Sequence, residues 1–193
     1  MNLPNKLTVF RMLLVPIIIG IWLLGEGGIF VFTLWQSEFS LTRLLCLVLF
    51  VIASLTDLFD GRIARKRKTI TTFGKFMDPI ADKMLVNTLL ILMAYQKLIP
   101  LICVLIMILR DLIVDAIRLL AAEKQQVVAA GNLGKLKTVL QMTAIIIVLL
   151  DNFPLAFLHI PFGLIATWLA TLVSVVSGID YFRAYQAMIF ESL

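Results

Sequence analysis

From Asn152 to Gly178 the chain carries no aspartate, glutamate, lysine or arginine. At ~1.5 Å per residue, a helix of that length more than crosses the ~30 Å of hydrocarbon in a bilayer. A bilayer admits only helices and closed barrels, because every backbone polar group must find its partner within the protein. The rest of the sequence has the same character: 61% of the 193 residues are hydrophobic and 15% are charged. That is far more apolar than an ordinary soluble domain. The apolar runs are long and do not alternate, so they predict helices and not barrel strands.

Six spans are predicted, close to Thr8–Leu24, Leu41–Phe59, Pro79–Leu98, Pro100–Ala122, Leu136–Leu150 and Pro161–Tyr181. The fold class is therefore all-α and polytopic, with residues 1–193 forming a single membrane domain. Met12 to Leu24, preceded by Lys6 and Arg11, has the look of a secretory signal. It reads better as a retained first helix, because the later spans already commit the chain to the membrane. Gly25-Glu26-Gly27-Gly28 ends that helix, and Ile29 to Trp35 is expected to lie along the outer interface as a short amphipathic helix. Trp22, Trp35, Trp168, Tyr181 and Tyr185 are expected as interfacial anchors.

The net charge of +5 does not point to nucleic acid. The basic residues cluster beside apolar segments, and no basic stripe is interleaved with exposed aromatics. Arg62, Arg65, Lys66, Arg67, Lys68 and Lys75 lie between the second and third spans; Lys124, Lys135 and Lys137 lie between the fourth and fifth. The opposite side has only Arg43 and Lys97 near its helix ends. Both termini are thus expected in the cytoplasm. Cys46 and Cys103 sit inside apolar runs and show neither a disulfide framework nor zinc-ligand spacing.

Against this background the acidic residues stand out. Asp57, Asp60, Gly61, Ala64, Arg65, Gly74, Asp78 and Asp82 follow the pattern D-x2-D-G-x2-A-R-x8-G-x3-D-x3-D. Spacings of three and four put each aspartate pair on one helical face. Two antiparallel helices joined by the basic connection can bring all four carboxylates together at the cytoplasmic end. Unpaired, they would repel one another, and one or two divalent cations resolve the conflict. An all-oxygen ligand set favours a hard ion, Mg²⁺ or Mn²⁺. Gly61 leaves room for a bulky ligand at the backbone, and Gly74 permits a tight turn or close packing. Ala64 keeps the face narrow, and Arg65 can contact a phosphate through two donors. A network of interfacial salt bridges would explain one D-x2-D, but not eight positions in register.

That pattern resembles the signature of the CDP-alcohol phosphotransferases. The resemblance extends to Asn2 through Arg11, Phe73 through Lys83, the Arg110-Asp111 pair and Gly134-Lys135-Leu136-Lys137-Thr138, and is closest to the branch that forms phosphatidylglycerophosphate. At position 111 the family leads one to expect glutamate as readily as aspartate. The resemblance implies a six-helix membrane fold, usually homodimeric, in a bacterial plasma membrane. It implies two metals held by Asp57, Asp60, Asp78 and Asp82, with Asp82, the fourth aspartate, as general base. Its reaction is transfer of a phosphatidyl group from CDP-diacylglycerol to sn-glycerol 3-phosphate.

Other residues are candidates for substrate contact. Asn5, Thr8 and Arg11 recur every third residue and can meet the nucleotide or its phosphates; as a plainer alternative, Asn5 or Thr8 caps the helix. With Asp60, Gly61, Ala64, Arg65 and Gly74 they form the expected CDP-lipid site. Arg110, Arg118, Lys135 and Lys137 are the expected pocket for the acceptor's phosphate. Asp111 and Asp115 are expected to hold the arginines in place. Ion pairing and topology weigh evenly against phosphate contact for Arg110 and Lys137, whereas Arg118 and Lys135 favour phosphate. Asp180 is expected to pair with a neighbouring base, and His159 receives no role. Alternative acceptors are inositol phosphate, serine or phosphatidylglycerol. A cation transporter or a lipid-binding scaffold would leave Gly61, Ala64, Arg65 and Gly74 unexplained.

Overall fold

The computed structural model describes residues 3–25, 31–34, 37–67, 72–123 and 131–190. Side chains 57–67 and a few others within the elements lie outside the described residues. The described chain forms six α-helices and one hairpin: α1 (Leu3–Leu24), β1 (Val31–Leu34), β2 (Ser37–Ser40), α2 (Leu41–Arg67), α3 (Thr72–Tyr95), α4 (Leu101–Glu123), α5 (Asn132–Leu149) and α6 (Phe162–Phe190). A single 3-10 turn, Leu155–Leu158, precedes α6.

Each predicted span coincides with a helix, but the bounds differ. α3 starts well before Pro79 and carries it in its interior. Proline cannot donate to the carbonyl one turn back, and at the eighth residue of the helix this removes one intrahelical hydrogen bond. Asp78 and Gly74 therefore stand on the helix itself, not in the connection before it. Among the described residues, three helices are long and apolar enough to cross a membrane: Asn5–Leu24, Asn132–Leu149 and Phe162–Gln186; the apolar part of α2, Leu41–Thr56, is shorter. α3 carries its acids and bases in its first half and α4 from Arg110 onward, which separates them from this group.

Residues 31–34 are not the amphipathic helix expected from sequence. They pair antiparallel with residues 37–40, Val31 opposite Ser40 and Leu34 opposite Ser37. A β-branched and aromatic run with a close partner strand favours the ladder over a helical turn.

The contacts divide the chain into two compact units, residues 1–92 with 149–160, and residues 93–148 with 161–193. In the first unit α1 packs along α2. The buried positions of α1 are Thr8, Arg11, Leu14, Val15, Ile18 and Trp22, a stripe that repeats every three or four residues. Thr42, Cys46, Phe50 and Ala53 form the corresponding stripe of α2. The two helices close tightly at one end: a Cβ built on Gly25 would lie 2.0 Å from the Thr42 Oγ1. Asp151 ties the hairpin down. Its Oδ2 accepts the Glu38 backbone N–H at 2.8 Å, and Arg43 lies 3.8 Å from its Oδ1. Phe39 stacks on Phe32 and meets Phe153 edge-on.

In the second unit α4 packs along α6. The buried face of α6 is small and weakly polar, with Thr167, Ala170, Thr171, Ser174 and Ser177 in sequence. Small side chains let helix backbones approach where apolar surface alone gives no preference over lipid. Thr167 and Thr171 satisfy their hydroxyls on the carbonyls of Gly163 and Thr167, at 2.7 and 2.8 Å. Further along, Val114, Ile117, Ala121, Tyr181 and Met188 form an apolar cluster. Two expected anchors are thus internal: Trp22 and Tyr181 are buried, because each falls on the packed stripe of its helix. Trp168 is exposed as expected, and Trp35 lies outside the described residues.

Candidate active site

Among the described side chains, the first unit holds one carboxylate pair on neighbouring turns. Asp78 and Asp82 lie one turn apart on α3, and both are reached by side chains of α1. Thr8 Oγ1 donates to Asp78 Oδ1 at 2.5 Å. The Arg11 guanidinium donates to the same oxygen at 3.3 Å and to Asp82 Oδ1 through its other nitrogen. Thr8 and Arg11 occupy successive positions of the buried α1 stripe, so the spacing that packs α1 on α2 also delivers both donors to α3. The Arg11 side chain is fully buried, while the two carboxylates are 38% and 44% exposed. Among the described contacts, the one guanidinium thus bridges two acids that remain partly exposed.

Asp57, Asp60, Gly61, Ala64 and Arg65 stand on α2, whose backbone is helical through Arg67. Their side chains lie outside the described residues. Gly74 is buried on α3, and Asn5 is half-buried in the first turns of α1. Among the described residues no cluster of three or more acidic, histidine or cysteine side chains forms. The chemistry of the donors nonetheless suits a hard ion. Mg²⁺ is commonly held by one or two carboxylates, with substrate phosphates and water completing its shell. Asp78 and Asp82 supply oxygen alone, on one face, with part of each carboxylate open.

The second unit holds the basic residues. Asp111 is buried on α4 and shared by two cations. Arg110 donates to its Oδ1 at 3.0 Å, and Lys137, from α5, donates to its Oδ2 at 2.6 Å. Arg110 also donates to Ser177 Oγ at 2.5 Å. Arg118 is arranged differently. Its Nε and one terminal nitrogen donate to the Tyr181 hydroxyl at 3.3 and 3.2 Å, and its guanidinium carbon is 5.4 Å from that ring's centroid. Arg118 and Lys135 are exposed, and neither makes an ion pair among the described residues. Arg110 and Lys137 therefore spend their charge on Asp111, whereas Arg118 and Lys135 keep theirs available. Asp180, expected to neutralise a nearby base, makes no ion pair among the described residues.

Ser177 and Tyr181 are the partners that sequence reasoning missed. Their signal was present: they continue the small polar series of α6 at helical spacing, on the face that meets α4. A hydroxyl at such a position inside an apolar helix usually answers a neighbour's polar group.

A family model described as CDP-alcohol phosphatidyltransferase matches residues 1–176. The chain belongs to this family. Among curated CDP-alcohol phosphatidyltransferases, it is 41% identical over 187 residues to the CDP-diacylglycerol–glycerol-3-phosphate 3-phosphatidyltransferase of Bacillus subtilis (strain 168), covering 94% of this chain and 93% of that one. The protein of the same name from Rickettsia typhi is 36% identical over 184 residues, with 95% and 96% covered. That from Wigglesworthia glossinidia brevipalpis is 32% identical over 186 residues, with 94% and 93% covered. The similarity to this family thus runs through the aspartate-bearing helices and the basic residues of α4 and α5 alike.

Proposed function

We propose that this protein transfers the phosphatidyl group of CDP-diacylglycerol to sn-glycerol 3-phosphate, releasing CMP and forming phosphatidylglycerophosphate. One observation carries the reading: an open carboxylate pair held by α1 stands in a chain that matches enzymes of that name over nearly its whole length.

Asp57, Asp60, Asp78 and Asp82 would hold the metal, two Mg²⁺ or Mn²⁺ ions. Bound there, the ions would neutralise charge on the pyrophosphate and on the departing CMP. Asp82 takes the proton of the acceptor hydroxyl. The freed oxygen attacks the phosphorus that carries the diacylglycerol, and the bond from that phosphorus to the CMP oxygen breaks. Arg11 and Thr8 fix the carboxylates in place and keep the pair from mutual repulsion. Asn5, Thr8, Arg11, Asp60, Gly61, Ala64, Arg65 and Gly74 shape the CDP-lipid site. Arg118 and Lys135 bind the acceptor's phosphate, and Arg110 and Lys137, braced on Asp111, complete the positive field around it.

The six helices are read as six spans, with α3 and α4 directing their charges toward protein or water. The cationic loops favour both termini and the aspartates on the cytoplasmic side of a bacterial plasma membrane. The working unit is a homodimer. Such a site receives the lipid from the bilayer and both water-soluble groups from the cytoplasm.

The test is CMP release by the purified protein with CDP-diacylglycerol and a panel of alcohols: glycerol 3-phosphate, inositol phosphate, serine and phosphatidylglycerol. Release with glycerol 3-phosphate alone, lost with a chelator and restored by Mg²⁺ or Mn²⁺, is expected. Release with only another acceptor overturns the substrate, and full activity in chelator overturns the metal.

A further inference from the structure

Outside the carboxylate pair, the second unit carries a groove of about 600 Å³ between α4 and α6. Leu109 and Ile113 line one wall, and Val175, Ile179 and Phe182 the other. Its floor lies where α6 has no side chain: a Cβ on Gly178 would come within 3.0 Å of the Arg110 Cγ. The stem of Arg110 fills that notch, so the groove runs directly behind the guanidinium that holds Asp111. Toward the C-terminal end of α6 the lining changes to Arg183 and Gln186. Both are exposed, and Arg183 has no acidic partner among the described residues. Among the described residues, no acid lines the groove.

We infer that this groove is a binding site for one anionic phospholipid, its phosphate at Arg183 and Gln186 and one acyl chain along the apolar wall. The dimensions agree. Val175 to Gln186 rises about 16 Å along the helix, half of the ~30 Å hydrocarbon core and hence the depth of one leaflet. The polar end falls at the last residues of the apolar span Phe162–Gln186, where headgroups lie. Charge separates the occupants. A second copy docked symmetrically would present its own acid-free, arginine-bearing groove to this one. An anionic headgroup complements Arg183, and a zwitterionic one does so less. The lipid would brace Arg110, and through it Asp111 and Lys137, without entering the carboxylate site. The inference requires a membrane setting but not the phosphatidyl transfer proposed above.

The experiment is native mass spectrometry of the full chain, purified and delipidated in detergent. It is offered phosphatidylglycerol or phosphatidylcholine with identical chains. One retained phosphatidylglycerol per chain is expected, in preference to phosphatidylcholine. Arg183→Gln should reduce that preference about fivefold, the worth of one basic residue at a lipid surface. Ile179→Trp, or Leu109→Trp from the facing wall should the first fail to fold, fills the groove and should abolish retention. Retention should survive excess CMP, the tail-less product of the proposed reaction, which would compete only at the carboxylate pair and so separates this site from it. Equal retention of the two lipids, or retention that survives the tryptophans, overturns the proposal. So does a wild-type dimer without lipid that Ile179→Trp converts to monomers, which would assign the groove to a second copy.

Discussion

Arg11 is buried without exposed surface, whereas the carboxylates it joins are more than one-third open. Removing opposite ends of this network should therefore have unequal costs. Replacing both acids, Asp78→Asn with Asp82→Asn, strips a dry guanidinium of both carboxylates seen to bind it. Loss of compensation for a buried charge costs about 3–5 kcal/mol. Replacing the cation, Arg11→Gln, leaves two carboxylates that water reaches. Their mutual repulsion is screened, and the cost falls to the lost charge-assisted hydrogen bonds, about 1–3 kcal/mol. The double variant should be the less stable by about 2 kcal/mol on these figures. The triple variant, which also lacks the buried charge, should recover part of the loss. Equilibrium unfolding in mixed micelles, with a chelator present so that metal binding cannot contribute, measures all three. If Arg11→Gln is the most destabilised, or the triple variant is worse than the double, the cation is not the buried member and the account of this network fails.

Asp82→Asn should abolish CMP release while binding of CDP-diacylglycerol, followed by isothermal titration, stays within a few-fold; wild-type turnover would remove Asp82 as the base. Neutralising Arg118 and Lys135 together should raise the KM for glycerol 3-phosphate by at least tenfold, the effect of about 1.4 kcal/mol of lost phosphate contact, and an unchanged KM would dismiss the pocket. Asp111→Ala should cost about 3–5 kcal/mol, since Arg110 and Lys137 both lose their carboxylate in a nearly dry setting. Adding Lys137→Met to that variant should restore a measurable part in the same unfolding assay. Gly25→Ala should destabilise by about 1–3 kcal/mol, because its Cβ falls on the Thr42 side chain; a neutral melting temperature would mean that the helix end yields freely.

Hydropathy was enough to find the helices, because a long apolar run has few ways to satisfy its backbone. It was poor at their ends. Pro79 is an attractive first residue for a helix, so the sequence reading began α3 there, whereas the structure runs the helix through it and sets Asp78 within regular α geometry. The hairpin was missed for a related reason. Residues 31–34 are apolar enough for an interfacial helix, and only the pairing with residues 37–40 decides between the two. Trp22 and Tyr181 were misplaced because composition places an aromatic at a membrane interface, while the helical phase places these two against a neighbouring helix.

The candidate site divides along the same line. Its residue types could be read directly, since Asp57, Asp60, Asp78 and Asp82 at one-turn spacings on α2 and α3 have few purposes in an apolar chain. Its partnerships could not. Nothing in the order of residues says that Arg11 reaches Asp78 and Asp82 across more than sixty positions, or that Arg118 rests on a tyrosine; the bond of Arg110 to the adjacent Asp111 is the one partnership that the sequence led one to expect. Yet those partnerships decide which cations remain to meet a substrate. A guanidinium bonded to a neutral hydroxyl keeps its full charge for an incoming phosphate. One already shared with a buried carboxylate can only orient and support. On that ground Arg118 and Lys135 carry the expectation of phosphate binding, and Arg110, Asp111 and Lys137 the rigidity that such binding needs.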